Sequence, residues 1–178
     1  TDPDKRVLFK QQTVQTTTGQ NNLPEIIINP AKKYQQMDGF GFALTGGSAM
    51  LINKMSPDKQ EALLRELFGT GKNDIGASYL RVSIGASDLD DHVFSYDDLP
   101  AGEKDPELKK FSLAEDRKAL IPVLKKILAI NPTIKILGSP WSPPAWMKTN
   151  DSTGGGHLKP EYYHTYSQYF IQYLKVME

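Results

Sequence analysis

The sequence predicts an α/β fold with parallel strands, and three observations support that class. Short apolar runs that alternate with small or polar residues predict strands. Longer stretches with apolar residues three or four positions apart predict helices. The two patterns follow one another three times between Met37 and the end of the chain. Strands that alternate with helices pair in parallel, because each helix returns the chain to the same edge of the sheet.

Residues 1–36 differ from this pattern and predict a small β element of their own. Strand-forming side chains occur at Val7–Phe9 and Glu25–Ile28, and a polar, threonine-rich region separates them. Asn29-Pro30 predicts the end of the second strand, because proline has no amide hydrogen to donate to a ladder. We therefore place a domain boundary between residues 36 and 37.

The first βα unit begins with a predicted strand at Asp38–Thr45, where large apolar residues alternate with small ones. No helix is predicted before Ser48. The first helix is expected to have its N-cap at Ser56, to carry Pro57 in its first turn, and to end at Gly69. The residues predicted for its buried face are Leu63, Leu64, Leu67 and Phe68.

The second unit has a predicted strand at Ser78–Gly85 and a helix at about Lys118–Ile130, with Pro122 tolerated in the opening turn. The third has a strand at Thr133–Ser139 and a helix from about Pro160 to the end. The predicted buried stripe of the second helix is Leu120, Leu124, Ile127 and Leu128. That of the third helix is Tyr166, Tyr169, Phe170, Tyr173 and Met177.

These three units are predicted to be the start of a (β/α)8 barrel. In a closed barrel the apolar set on the second strand faces the helices, and Arg81 faces the interior beside the small residues of the first strand. A buried arginine needs a carboxylate partner, and none of these strands supplies one. Eight units and ~250 residues are needed to close such a barrel. We therefore expect the chain to be part of a larger protein, with the remainder of the same barrel as its partner.

Composition excludes several classes of function. The 21 basic and 21 acidic residues give zero net charge, which argues against a nucleic-acid partner. The apolar runs are too short for stable membrane insertion. No cysteine is present and the three histidines lack ligand spacing, so we expect no metal site and no cofactor. The chain begins at Thr1 without Met, and we expect a secreted or periplasmic protein whose leader was removed.

The segment Gly138–Asn150 is the most distinctive motif, because it places two tryptophans and three prolines directly after the third strand. Barrels carry their active sites at the C-terminal ends of the strands. Trp141 shares strand parity with Ser139 and is predicted to lie over the barrel opening, where an indole face suits a sugar ring. The alternative is that both Trp141 and Trp146 only pack the loop.

Asp88 follows the second strand and is the second candidate for a site residue. A carboxylate there could accept hydrogen bonds from two sugar hydroxyls. The alternative is a solvated acidic loop or cap, which is what we expect of the neighbouring aspartates Asp90, Asp91, Asp97 and Asp98.

Three segments together resemble glycoside hydrolase family 30, the glucosylceramidase family: residues 37–41, residues 80–88 and the Ser139–Asn150 loop. The similarity extends over residues 26–178. It implies a (β/α)8 barrel with a side β-sandwich, to which the strands in residues 1–36 would contribute. It also implies retaining hydrolysis of β-glucosides by a glucosylceramidase-like or β-1,6-glucanase-like enzyme, with a carbohydrate or glycolipid substrate and, for the first, a place in sphingolipid metabolism.

The resemblance assigns roles by position. Asp88 and Trp141 match the family's glucose-binding aspartate and tryptophan, and Arg81 matches its buried arginine near the catalytic carboxylates. The family's catalytic glutamates lie on the fourth and seventh strands, the first of them in an Asn-Glu-Pro motif. These 178 residues contain no such motif, so no catalytic residue is assigned and we expect the chain alone to be inactive.

One departure from the family follows the first strand, where Thr45-Gly46-Gly47-Ser48 replaces a Thr-Asp followed by alanines. It bears on the specificity of the barrel opening. Asp88 favours the glucosidase and β-1,6-glucanase branches over the xylanase branch. The alternative to an enzyme is a noncatalytic carbohydrate-binding module, in which Asp88 and Trp141 bind a sugar that nothing hydrolyses.

Overall fold

The computed structural model describes residues 13, 15–16, 18–19 and 22–178. The chain divides into two units, Thr1–Gln36 and Met37–Glu178. In the first unit, a turn at residues 30–31 is closed by the Lys32 amide, which donates to the Asn29 carbonyl at 3.1 Å. The strands and helices described below all belong to the second unit.

The strand predicted at Glu25–Ile28 is not observed. Residues 24–29 carry no strand hydrogen bonding, and the three isoleucines at 26–28 are exposed. A β-branched run favours an extended chain, but a strand also needs a partner ladder, and the described residues of this unit offer none. The predicted strand at Val7–Phe9 lies outside the described residues.

Three parallel strands form the sheet of the second unit: β1 (Gly41–Leu44), β2 (Tyr79–Ile84) and β3 (Lys135–Pro140). Their order is β1-β2-β3, so β2 is central. The register places Ile84 opposite Pro140, and β2 and β3 therefore end side by side. The three predicted strands are confirmed: β1 and β2 are shorter than predicted at both ends, and β3 begins and ends slightly later than predicted.

Five helices accompany the sheet: α1 (Gly46–Asn53), α2 (Pro57–Phe68), α3 (Ala114–Lys118), α4 (Leu120–Ile130) and α5 (Tyr163–Met177). Short 3₁₀ turns occupy Ala145–Met147 and Pro160–Tyr162. No helix among the described residues is both long enough and apolar enough to cross a membrane.

The predicted bounds of α2 are confirmed, with Ser56 at its N-cap and Gly69 at its C-cap. Helix α1 was not predicted, because its two initial glycines have poor helix propensity and hide the pattern. The Thr45 side chain begins it by accepting a hydrogen bond from the Ser48 amide. The helix predicted near residue 118 is two helices, because Ala119 leaves the helical region at φ −140° and ψ −55°.

One face of the sheet is covered by helices and the other is open. Leu80 and Val82 are buried against α2 and α4, as their parity predicts, whereas Arg81 and Leu137 are exposed on the opposite face. Leu128 of α4 was predicted to be buried but is 39% exposed. It lines a groove of about 970 Å³ beside β3, over which no described element packs.

The segment 85–113 connects β2 to α3 without regular secondary structure, and Tyr96 attaches it to the rest of the unit. The Tyr96 ring stacks on Tyr169 and Tyr173 of α5, each at 5.7 Å between centroids. The Tyr96 amide donates to the Tyr169 hydroxyl at 3.0 Å, and the Tyr96 hydroxyl donates to Asp116 of α3 at 2.6 Å. One side chain thus joins the segment to two helices.

The bond from Tyr96 to Asp116 is expected to depend on pH. Burial raises the pKa of Asp116 to about 6, against the lowering effect of Tyr96. We expect Tyr96→Phe to lower the free energy of unfolding by about 1–3 kcal/mol at pH 7.5, where the carboxylate is charged and loses its donor. The loss should be smaller at pH 5, where Asp116 is protonated.

Urea unfolding at the two pH values measures this difference. Tyr163→Phe is the matched control, because Tyr163 is an exposed tyrosine on α5, the helix against which Tyr96 packs. Equal losses for Tyr96→Phe at pH 5 and pH 7.5 would contradict the expectation.

Candidate functional site

The C-terminal ends of β2 and β3 bring two loops of the second unit together. Trp141 directly follows β3, and its amide donates to the carbonyl of Ile84, the last residue of β2, at 3.4 Å. Asp88 lies on the loop that leaves β2. Parallel pairing puts both strand ends at one edge, which is where α/β proteins place their ligands.

Asp88 and Trp141, the two predicted sugar-binding residues, contact each other. The Trp141 indole Nε1 donates to Asp88 Oδ1 at 2.9 Å. The contact is at the surface, with Trp141 36% exposed and Asp88 exposed as well, so both side chains remain accessible. A hydrogen bond to an ionised acceptor is stronger than a neutral one and holds both side chains in a defined orientation.

Arg81, the third predicted site residue, lies on the open face of the sheet. Its Nη2 donates to Ser139 Oγ at 2.9 Å, across the strand pair that joins β2 and β3. No carboxylate in the described part of the chain forms an ion pair with it. Arg81 therefore lies on β2, the strand that leads to Asp88, and its hydrogen bond is to Ser139 rather than to Asp88 or Trp141.

Asp90 is not the solvated loop residue that the sequence predicted. One of its oxygens, Oδ2, accepts hydrogen bonds from the Ser87 amide at 2.6 Å and from Ser87 Oγ at 2.9 Å. Ser87 Oγ also accepts from the Leu89 amide at 3.3 Å. A short acidic side chain bonds nearby amides readily, which closes the turn that carries Asp88.

A second turn of similar form follows at Ser95–Asp98. Asp98 accepts from the Ser95 amide at 2.7 Å and from Ser95 Oγ at 2.6 Å, so this exposed residue is the cap of its own turn, within the expectation of a solvated loop or cap. This turn contacts the other tryptophan, because Trp146 Nε1 donates to the Asp97 carbonyl at 3.0 Å. Asp91 does match the expectation: it is exposed and hydrogen-bonded to His92.

Trp146 packs the loop rather than facing solvent. It is 7% exposed and meets the Tyr162 ring edge-on at 4.9 Å between centroids. Lys148 holds the same loop from within, because its Nζ donates to the Thr153 carbonyl at 2.7 Å and to Ser142 Oγ at 3.3 Å. The packing alternative therefore describes Trp146, whereas the role of the more exposed Trp141 stays a prediction.

Asp97 is the least expected residue of this region. It is 2% exposed, and neither of its carboxylate oxygens has a hydrogen-bond partner in the described structure. Burial, and then the charge of the buried Asp105, raise the pKa of Asp97 to about 6, while the more distant Lys110 lowers it. Burying a carboxylate without a partner is costly, so Asp97 favours the protonated form.

The sequence missed Tyr96, Lys148 and the burial of Asp97. The signal for the two aspartate-closed turns is visible, since Ser87-x-x-Asp90 and Ser95-x-x-Asp98 have the same spacing. Burial of Lys148 and Asp97 has no such local signal. Within the described residues, no group of three or more His, Cys, Asp or Glu side chains is arranged to hold a metal ion.

Comparison with known proteins agrees with this geometry. The model of the glycosyl hydrolase family 30 TIM-barrel domain matches residues 37–178. Mouse lysosomal acid glucosylceramidase is 36% identical over 156 residues, which are 84% of this chain and 29% of that protein. An endo-1,6-β-D-glucanase of Neurospora crassa is 33% identical over 171 residues, which are 91% of this chain and 35% of that protein.

Among solved structures, the endo-β1,6-glucanase BT3312 superposes with a TM-score of 0.72 at 39% identity. The match covers 84% of this chain and 34% of that one. The chain thus spans about a third of the length of the relatives it matches.

Asp97 generates a prediction about stability and pH. Its pKa is 3.8 in a free side chain and about 6 in the folded protein. The folded state therefore binds the proton more tightly, and ionised Asp97 costs stability: the cost is absent below about pH 4 and complete above about pH 6. We expect Asp97→Asn, which removes the buried charge, to raise the free energy of unfolding by about 1–3 kcal/mol at pH 7.5.

Urea unfolding at pH 4, 5, 6 and 7.5 measures the gain, which should grow across this range. Asp38→Asn, at an exposed carboxylate of the same unit, is the control and should change stability little at any pH. A gain for Asp97→Asn that is the same at pH 4 and pH 7.5 would contradict the assignment.

Proposed function

The chain belongs to glycosyl hydrolase family 30, and from this premise we propose that it forms the first part of the barrel of a retaining enzyme acting on β-glucosides. Asp88 and Trp141 bind the glucose unit in this proposal, and Arg81 lies near the catalytic carboxylates. The hydrogen bond of 2.9 Å between Trp141 Nε1 and Asp88 Oδ1 is the observation that carries it.

The chemistry of this pair suits a sugar. The indole N–H occupies one oxygen of Asp88, which leaves Oδ2 to accept from a sugar hydroxyl. The exposed face of Trp141 can cover the apolar C–H face of the ring. A charged acceptor that is already oriented loses little entropy when the substrate binds, which favours tight and selective contact.

Arg81 supports the same proposal from the open face of the sheet. Its bond to Ser139 orients the guanidinium, and the exposed side chain has further N–H groups that can donate to other acceptors. In the proposed complete barrel, this face becomes the interior and supplies the carboxylate that Arg81 needs. That carboxylate belongs to the part of the enzyme beyond these 178 residues.

Retaining hydrolysis needs two carboxyl groups about 5–5.5 Å apart, one as acid/base and one as nucleophile. Because the chain contains no Asn-Glu-Pro motif, we place both glutamates on the remaining βα units. Those units would pair with the outer edge of β3 and fill the groove of about 970 Å³ beside it. The partner of this chain is therefore the remainder of its own barrel, and the chain alone should not hydrolyse glucosides.

The substrate we propose is a β-linked glucoside, either a glucosylceramide-like glycolipid or a β-1,6-glucan. Relatives named for both activities match the chain at similar identity. A glycolipid substrate would place the enzyme in sphingolipid metabolism, and either substrate fits a secreted or periplasmic enzyme.

The binding roles are tested by Asp88→Ala and Trp141→Ala in the complete enzyme. Contacts to sugar hydroxyls that tighten in the transition state contribute several kcal/mol, so we expect kcat/KM to fall on the order of 10²-fold or more. The melting temperature should hardly change, because both residues are exposed. Asp91→Ala is the control, since Asp91 is exposed on the same loop and contacts His92 rather than the site.

If Asp88→Ala and Asp91→Ala have equally small effects on kcat/KM, the binding role fails. If Trp141→Ala mainly lowers the melting temperature, the residue packs the loop. Tight binding of glucoside by the complete protein without turnover would favour the noncatalytic carbohydrate-binding module.

Stereochemistry tests the reaction class separately. With methanol as the acceptor, a retaining enzyme transfers the glucosyl group from its covalent intermediate with a second inversion. We expect the first product from a β-glucoside to be the methyl β-glucoside. An NMR time course of the reaction measures this. A methyl α-glucoside as the first product would exclude retention.

A further inference from the structure

Two contacts fix the position of the loop that carries Asp88. Asp90 closes the turn through its Oδ2, as described above. Its other oxygen, Oδ1, lies against Gly46 at the first turn of α1, where a β-carbon on residue 46 would overlap it. A β-carbon on Gly47 would likewise overlap the carbonyl oxygen of Leu89.

This close approach is possible only because both residues are glycines. A carboxylate at the start of a helix also interacts favourably with the amide dipoles there. We infer that Asp90, seated on the Gly46-Gly47 pair, is a positioning residue that fixes the Asp88 carboxylate against the indole of Trp141. The role concerns the sugar site and rests on the proposed function, although the contact itself does not.

The second turn makes the inference specific. Ser95 and Asp98 repeat the hydrogen bonds of Ser87 and Asp90, and the amide two residues after each serine donates to its Oγ at 3.3 Å in both turns. Each turn receives one indole: Trp141 donates to the first and Trp146 to the second. Loss of either aspartate should therefore disturb one tryptophan and leave the other.

The experiment uses the complete enzyme, in which Trp141→Phe and Trp146→Phe identify the indole signals of these two tryptophans in a ¹H–¹⁵N spectrum. Asp88→Ala removes the acceptor of Trp141 and identifies its signal. In Asp90→Ala we expect the Trp141 signal to move toward its position in Asp88→Ala, while the Trp146 signal stays. In Asp98→Ala, the matched control, the Trp146 signal should move and the Trp141 signal should stay.

Two further variants separate positioning from a general loss of folding. Asp90→Asn keeps one side-chain oxygen for both Ser87 bonds and should restore the Trp141 signal to its original position. Gly46→Ala keeps every hydrogen-bonding atom of Asp90 but displaces it, and should move the Trp141 signal alone. The inference is wrong if Asp90→Ala leaves the Trp141 signal in place, if it moves both signals, or if Asp90→Asn does not restore it.

Activity of the complete enzyme gives a second readout. We expect kcat/KM to fall about tenfold in Asp90→Ala, less than in Asp88→Ala, and to recover in Asp90→Asn; a tenfold change corresponds to 1.36 kcal/mol. If Asp88→Ala leaves kcat/KM unchanged, the proposed sugar site fails, and the indole signals still decide whether Asp90 positions Asp88.

Discussion

Residues 85–113 form a long connection without regular secondary structure, and a segment of this kind must be anchored if its side chains are to keep a fixed position. Tyr96 provides the anchor. Its ring is buried between two tyrosines of α5, and its hydroxyl reaches a buried carboxylate on α3. Burial of the aromatic ring stabilises the contact between the segment and the helices. The two hydrogen bonds fix the orientation of Tyr96, so the segment has one preferred position relative to the sheet.

The candidate site depends on that position. The first aspartate-closed turn, residues 87–90, precedes Tyr96, and the second, residues 95–98, contains it. Each turn has an acceptor for one tryptophan of the loop after β3. The loops from β2 and β3 are thus joined at two points, one buried at Trp146 and one exposed at Trp141. The buried contact stabilises the loops against each other, which leaves the exposed contact free to serve a ligand.

Two glycines contribute to this arrangement because they have no side chain. At Gly46 and Gly47 the absence of a side chain lets the loop carrying Asp88 rest on the start of α1. By the resemblance to the glucosylceramidases, this pair is also where the sequence departs from the family pattern, and we expect the departure to affect the edge of the sheet where Asp88 lies.

Sequence alone determined the three βα units, the bounds of α2, the helix-facing side of β2 and the family, because hydrophobic periodicity, caps and a rigid tryptophan-proline motif are local signals. It also identified Asp88 and Trp141 as candidates. Tertiary structure decided that these two side chains share a hydrogen bond and that Asp97 is buried beside Trp146. Both facts arise from contacts between segments that are distant in the chain, and no local pattern shows whether such a contact buries a charged residue or leaves it in water. The turns closed by Asp90 and Asp98 are different, because each is formed within four residues and has a local signal.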